Sequence, residues 1–308
     1  MIGIYLRLVG SMALWGATWV SGRIVAQVMH PFSAAFLRFL FAGIFLYLLS
    51  CRAERRWPAF PRKSFWGVAF LGFTGVFLYN YFFFSGLSHI QAGRAALIVA
   101  CVPSTVALYS ALVLRQPVTA LKTLGIGLSL SGVAVILSGG DPLSLFTHGI
   151  GAGDLFILGC VAAWAAYSLA GAKVMRGSTP LSTVTWSCLM GDVLLLGPAL
   201  AGNLLPEAAA ATPAIWAHLV FLGVGATGLA FTWYYAGILA LGAPRASIFI
   251  NLVPVFATLL STTLMGETVG ISLVLGGGMV VTGVVLANRP AGGWKAAGAA
   301  KQAEPTSK

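Results

Sequence analysis

Trp15, Trp19 and Arg23 stand four residues apart in an otherwise apolar run. A helix sets positions i, i+4 and i+8 on one face. Two indoles and a guanidinium in a stripe suit an amphiphile carrying a ring and a carboxylate, the ring packing on the indoles and the carboxylate meeting Arg23. The other role open to the stripe is interfacial, with the rings facing lipid and Arg23 reaching the outer headgroups. Further aromatic residues gather in three places: Tyr79 with Tyr81 to Phe84, which includes Phe83; Trp164 with Tyr167; and Trp233 with Tyr234 and Tyr235. Polar side chains inside the apolar runs are few, and each needs a buried partner or a wet cavity. Among them Asn80, Ser168 and Asn251 can bond a zwitterion or bridge two helices. Asp192 is the one carboxylate well inside a run, and it is either a proton carrier or half of a structural ion pair with Arg38.

Bond-breaking chemistry has no such foothold. The histidines His30, His89, His148 and His218 are scattered, and no metal-ligand spacing occurs. The glycine clusters Gly125 to Gly132 and Gly276 to Gly283 lack the preceding strand and the ribose-binding acid of a dinucleotide loop. They read as surfaces for close helix packing. Neither an enzyme nor a resident metal or cofactor is expected. Cys51, Cys101, Cys160 and Cys188 fall within or at the ends of apolar runs, so no disulfide framework is expected.

The elements that must position these residues follow from composition. With 58% hydrophobic and 8% charged residues and a mean hydropathy of +0.92, the chain cannot clothe a soluble domain of 308 residues. Runs of about 20 apolar residues match a hydrocarbon core of roughly 30 Å, where only helices or closed barrels satisfy the backbone. Ten runs occur, near 6–28, 32–50, 65–87, 92–114, 119–138, 153–172, 182–201, 214–238, 243–265 and 269–288. The expected fold is therefore an all-α membrane protein with ten transmembrane helices. The net charge of +11 would suggest nucleic acid in a soluble protein, but its placement makes it a topology signal. Arg52, Arg55, Arg56, Arg62 and Lys63, then Arg115, Lys122, Lys173 and Arg176, follow even-numbered runs, whereas 139–152 and 202–213 hold no Lys or Arg. Both termini are thereby expected in the cytoplasm of a cell inner (plasma) membrane protein. The first run reads as a retained helix, and the tail from about Pro290 as disordered. The implied partners are the bilayer and a small-molecule substrate, with no nucleic acid; nothing in the sequence sets an oligomeric state.

The chain also contains itself twice. Phe70 to Ser138 aligns without a gap on Phe221 to Arg289, an offset of 151, pairing Gly72 with Gly223, Gly86 with Gly237, Arg94 with Arg245 and Pro103 with Pro254. Earlier positions follow an offset of 149, which pairs Trp15 with Trp164 and Pro31 with Pro180. Two five-helix units result, 1–147 and 148–290, with a tail at 291–308. Five is odd, so the copies run in opposite directions, as inverted repeats around a site near the midplane. Such duplication points to a transporter. Pro103 and Pro254 each fall at the twelfth residue of their runs, counting from 92 and from 243. Each frees a carbonyl four residues back and kinks its helix, as a hinge or as a static bend. Arg94 begins a helix, where a cation opposes the dipole, so a partner elsewhere should hold it. Glu267 lies on the same outer side and is the expected partner in an outer gate, with snorkelling to headgroups as the other role. Arg245 with Gln116 is the inner counterpart.

Leu14-Trp15-Gly16-Ala17-Thr18-Trp19, Pro31 and Arg38-Phe39-Leu40-Phe41-Ala42 in the first half, with Gly153-Asp154-Leu155, Trp164-Ala165-Ala166-Tyr167, Leu252-Val253-Pro254-Val255, Met265-Gly266-Glu267 and Gly276 to Gly283 in the second, resemble the EamA-type domain of the drug/metabolite transporter superfamily, twice over. The resemblance implies a ten-helix exporter. Among such proteins the aromatic-rich runs look most like the aromatic amino-acid exporters of the YddG type. One departure is Arg115-Gln116, where the pattern has Gly-Glu, so any role of that acid is missing from the first half. The expected function is export of amino acids, aromatic or otherwise hydrophobic, or of similar amphiphilic metabolites. Export of hydrophobic drugs or cations is the alternative, and a channel or intramembrane enzyme the reading from another class.

Overall fold

The computed structural model of the chain describes residues 2–54, 62–113, 115, 119–141, 150–174, 180–241, 246 and 249–287. Among the described residues there is helix and no strand. We number the helices α1 (Ile2–Ala26), α2 (Pro31–Glu54), α3 (Arg62–Leu87), α4 (Ala92–Leu112), α5 (Ala120–Leu137), α6 (Ala152–Val174) and α7 (Pro180–Ala201). A short α8 (Leu204–Ala210) precedes α9 (213–241), α10 (Phe249–Met265) and α11 (Ile271–Ala287). The described residues of the apolar runs fall mostly on helix. By length and composition seven of these helices, α2 to α7 and α9, can cross a membrane; α10 and α11 are shorter apolar helices. Two starts have a local cause: Thr119 and Thr212 accept backbone N–H bonds at the heads of α5 and α9, and Pro213 sits in the first turn of α9. The tail and the loops at 55–61 and 175–179 lie outside the described residues.

Polarity is arranged for lipid. Phe83, Phe84, Leu8 and Met12 fill the interior, while Trp66, Ile271, Val193 and Leu205 stand exposed on the outside. Polar side chains turn inward instead, as Ser50 does to Thr185 (2.8 Å) and Ser11 to the Ala230 carbonyl (3.0 Å). That is the arrangement of a protein whose outer solvent cannot hydrogen-bond.

Glycine lets certain helices touch backbone to backbone. A Cβ added to Gly72 would stand 2.7 Å from the Ser187 carbonyl oxygen and 2.9 Å from Gly191 N, so α3 lies against α7. A Cβ on Gly223 would stand 2.7 Å from the Arg38 carbonyl oxygen and 3.0 Å from Ala42 N, so α9 lies against α2. These are the same contact with the halves exchanged, since 72 and 223 differ by 151, 38 and 187 by 149, and 42 and 191 by 149. The pattern recurs. Gly86 abuts Ile157 as Gly237 abuts Leu8; Gly159 abuts Phe82 as Gly10 abuts Trp233; Gly125 meets the Gly283 carbonyl oxygen as Gly276 meets that of Gly132. Gly72 and Gly223 sit in matching distortions, π-helical segments at Gly72–Leu78 and Phe221–Leu229. Such widened turns are uncommon and concentrate at functional sites.

The two prolines also sit at matching breaks. The α-helix of α4 stops at Val99 and resumes at Val102, one residue before Pro103. In α10 a 3₁₀ turn, Phe249–Asn251, gives way to α-helix at Leu252, two residues before Pro254. Cys101 N bonds the Ile98 carbonyl at 3.2 Å, a three-residue closure replacing the four-residue one. The kink expected at Pro103 is therefore an interruption of the α-helix, and Pro254 follows a change from 3₁₀ to α-helix.

Candidate functional site

The expected aromatic residues separate into distinct groups. Phe83 lies 5.1 Å from Trp19 and is stacked 6.1 Å from Tyr79; Tyr79 lies 5.2 Å from Trp164, which stacks on Tyr167 at 5.0 Å. This row joins α1, α3 and α6 through the interior. Trp15 belongs to a second group on α9, 5.2 Å from Phe231 and 5.3 Å from Tyr234, and its Nε1 donates to the Ala226 carbonyl in the π segment (2.9 Å). Trp233 points away from both, its ring packed over Gly10. Tyr81 and Phe82 also part from Tyr79 and Phe83, because successive helical residues turn by about 100°; Tyr81 stacks on Phe32 at 4.7 Å, and both approach Phe156.

Arg38 enters beside the interior row. It is 9% exposed, its Nη1 donates to Asn80 Oδ1 (3.1 Å), and its guanidinium carbon lies 5.4 Å from the rings of Phe83 and Phe39. Asn80 is held in turn by its own amide, which donates to the Val76 carbonyl at 2.8 Å. The expected pairing of Arg38 with Asp192 does not form. Both flank Cys188, yet the two ion pairs among the described residues involve neither. The reason is lateral: Asp192 contributes to a groove of about 320 Å³ between α2 and α7, beside Leu40, Gly43 and Tyr47. Its Oδ1 has no hydrogen-bond partner among the described residues, and neither has Arg38 Nε.

The Arg94–Glu267 gate is likewise replaced by different partners. Glu267 pairs with Arg23 (Nε to Oε1, 3.2 Å) and accepts the N–H groups of Ala92 (3.0 Å) and Gly93 (3.3 Å) at the head of α4. Arg94 makes a two-pronged bond to Asp154, with Nε to Oδ1 and Nη2 to Oδ2 both at 2.9 Å, and reaches the Leu137 carbonyl at 3.2 Å. Arg94 follows Ala92 and Gly93 by two and one helical steps, so its side chain leaves α4 toward α6 rather than toward the Glu267 loop. Arg23 also donates to the Ile90 carbonyl. It is thus committed at the end of the bundle, eight residues beyond Trp15, and is removed from the carboxylate-binding role the stripe suggested. Glu207 adds a further tie, accepting from His30 N at 3.1 and 3.2 Å. Together these bonds fasten α1, α4, α5, α6, α8 and the α10–α11 loop at one end.

The remaining candidates have plainer places. Ser168 donates to the Trp164 carbonyl of its own helix (2.7 Å). Asn251 stands half-buried at the 3₁₀-to-α junction of α10. Arg245 and Gln116 lie outside the described residues. Asp154 and Glu207 were not anticipated as partners; an acid in the first turn of α6, near an arginine in need of a counter-ion, was the available signal for Asp154.

Helices with apolar exteriors, inward polar groups and an aromatic interior define a multi-pass α-helical membrane protein. A model of the EamA-like transporter family matches residues 1–138 and again 151–289, and the chain belongs to that family. It is 28% identical over 287 residues to the uncharacterized transporter YyaM of Bacillus subtilis (strain 168), covering 93% of this chain and 94% of that one. It is also 28% identical over 225 residues to a probable terminal-alkyne amino-acid exporter of Streptantibioticus cattleyicolor, covering 72% of each. A solved crystal structure shares its fold with a TM-score of 0.63 at 23% identity, covering 92% of this chain and 97% of that one.

Proposed function

We propose that the protein is a secondary transporter of the inner (plasma) membrane that exports amino acids, aromatic or otherwise hydrophobic, or similar amphiphilic metabolites by alternating access. Its ten spans, α1 to α7 and α9 to α11, form inverted repeats at 1–147 and 148–290, with both termini and the tail at 291–308 in the cytoplasm. The observation that carries this reading is the exchange of glycine contacts between the halves, which is what a two-fold axis between them produces. With five spans per half that axis lies in the membrane plane, and the interior can then open to either side. The Lys and Arg distribution supports an outward position for the fastened end, where its bonds would close the exterior side. A row of rings beside a buried cation suits a solute with an apolar body and an anionic head. It disfavours a cationic drug. That one relative is named a probable amino-acid exporter agrees with this choice. No catalytic step is assigned.

The test is uptake of labelled amino acids by the full-length protein in liposomes, with and without a proton gradient. Saturable uptake led by aromatic amino acids is expected, and gradient dependence is expected to fall in Asp192→Asn. Equal, non-saturable movement of every solute would overturn the carrier reading. Undiminished gradient dependence in Asp192→Asn would remove that residue from coupling.

A further inference from the structure

Among the described residues Arg38 is a cation without an anion. The arginines at the fastened end, Arg23 and Arg94, have carboxylate partners, and neither ion pair among the described residues includes Arg38. Among the described residues its one side-chain hydrogen bond goes to the neutral Asn80 amide, although a guanidinium carries five N–H donors. Nε is buried without a partner. Arg38 is the eighth residue of α2, so its Cα lies roughly 10 Å along the helix from Pro31, well inside the hydrocarbon depth. A buried charge costs several kcal/mol unless paired, and an intramembrane one normally marks a functional site. The surroundings hold it in place without neutralising it: Phe39 and Phe83 lie at 5.4 Å, and Asn80 is fixed by its own bond to the Val76 carbonyl, inside the π segment. Phe83 is also where the aromatic row begins, with Trp19 on α1 and Tyr79 leading to Trp164 on α6.

We propose that Arg38 is the anion-binding residue of the interior, taking the carboxylate of a substrate whose ring lies along Phe83, Tyr79 and Trp164, with Asn80 as its positioning residue. This rests on the transporter reading above and assigns the role first considered for Arg23. Asp192 is the competing anion, since it flanks the same Cys188. If Arg38 served only to balance Asp192, removing either charge would have the same consequence.

Binding is testable separately from transport. The full-length protein in detergent is titrated with 3-phenylpropionate and with its neutral amide, following tryptophan fluorescence, and transport of labelled phenylalanine is measured in liposomes in competition with phenylalaninamide. The carboxylate should bind about 10- to 100-fold more tightly than the amide, the range a charged hydrogen-bonded pair supplies. Arg38→Gln should abolish that preference and raise KM by a similar factor with a smaller change in kcat, Arg38→Lys should restore part of it, and Asp192→Asn should keep it. Asn80→Asp, which supplies Arg38 with a built-in carboxylate, guards against a misfolded Arg38→Gln and should likewise weaken carboxylate binding. Equal binding of acid and amide by the wild type overturns the proposal, as does an Arg38→Gln or Asn80→Asp protein that retains the preference. Selective carboxylate binding without phenylalanine transport would leave Arg38 in its role and count instead against the amino-acid exporter reading.

Discussion

Glu267 concentrates the bonding at the fastened end in one side chain. Its two oxygens accept two backbone N–H groups at the head of α4 and face the Arg23 guanidinium, so a negative charge meets both a cation and the positive end of a helix. An amide in its place keeps only one accepting oxygen and turns an NH₂ toward groups that also donate. Glu267→Gln is therefore expected to cost about 1–3 kcal/mol, visible as a lower thermal transition in detergent. A transition within error of the wild type would show that the backbone N–H groups find other acceptors. Which cation Glu267 meets was not legible in the sequence. Arg94 and Arg23 both lie at the correct end, and only the direction in which each side chain leaves its helix separates them.

The helices owe their separations to glycine at a few positions. Gly72 and Gly223 occupy the π-helical turns of α3 and α9 where a methyl group would meet backbone atoms that cannot move aside. Gly72→Ala and Gly223→Ala should each destabilise the fold by roughly 1–3 kcal/mol, the usual cost of overpacking. Gly127→Ala, in α5 with nothing within 4 Å of its Cβ, should be neutral or slightly stabilising. Thermal transitions of the three variants side by side decide it, and equal shifts would refute the packing account. The helical runs were legible in hydropathy, whereas the caps Thr119 and Thr212 emerged with the structure. The π segments were not, because a widened turn leaves no mark on apolar periodicity beyond the glycines that tolerate it.

At the scale of the whole molecule, each half of the chain completes the other. Helix α7 of the second half closes on α3 of the first, as α2 of the first closes on α9 of the second. The breaks before Pro103 and Pro254 fall at corresponding points in this scheme. If they are hinges, the double variant Pro103→Ala with Pro254→Ala should slow phenylalanine exchange in liposomes several-fold while leaving equilibrium binding unchanged. Unchanged exchange would make them static bends.

Residue order alone carries the helical membrane character of this chain, the likeness of its halves and the recurrence of its prolines and tryptophans in register. Those properties are local or periodic: apolar run length, charge between runs and a constant offset all survive without knowing what touches what. The pairings emerged only with the fold, which gives Arg23 to Glu267, Arg94 to Asp154 and Arg38 to Asn80, with no carboxylate for Arg38 and no hydrogen bond to Asp192 Oδ1 among the described residues. An ion pair is fixed over a few ångströms by helix rotation and side-chain direction, and neither is recorded in the spacing of residues along the chain.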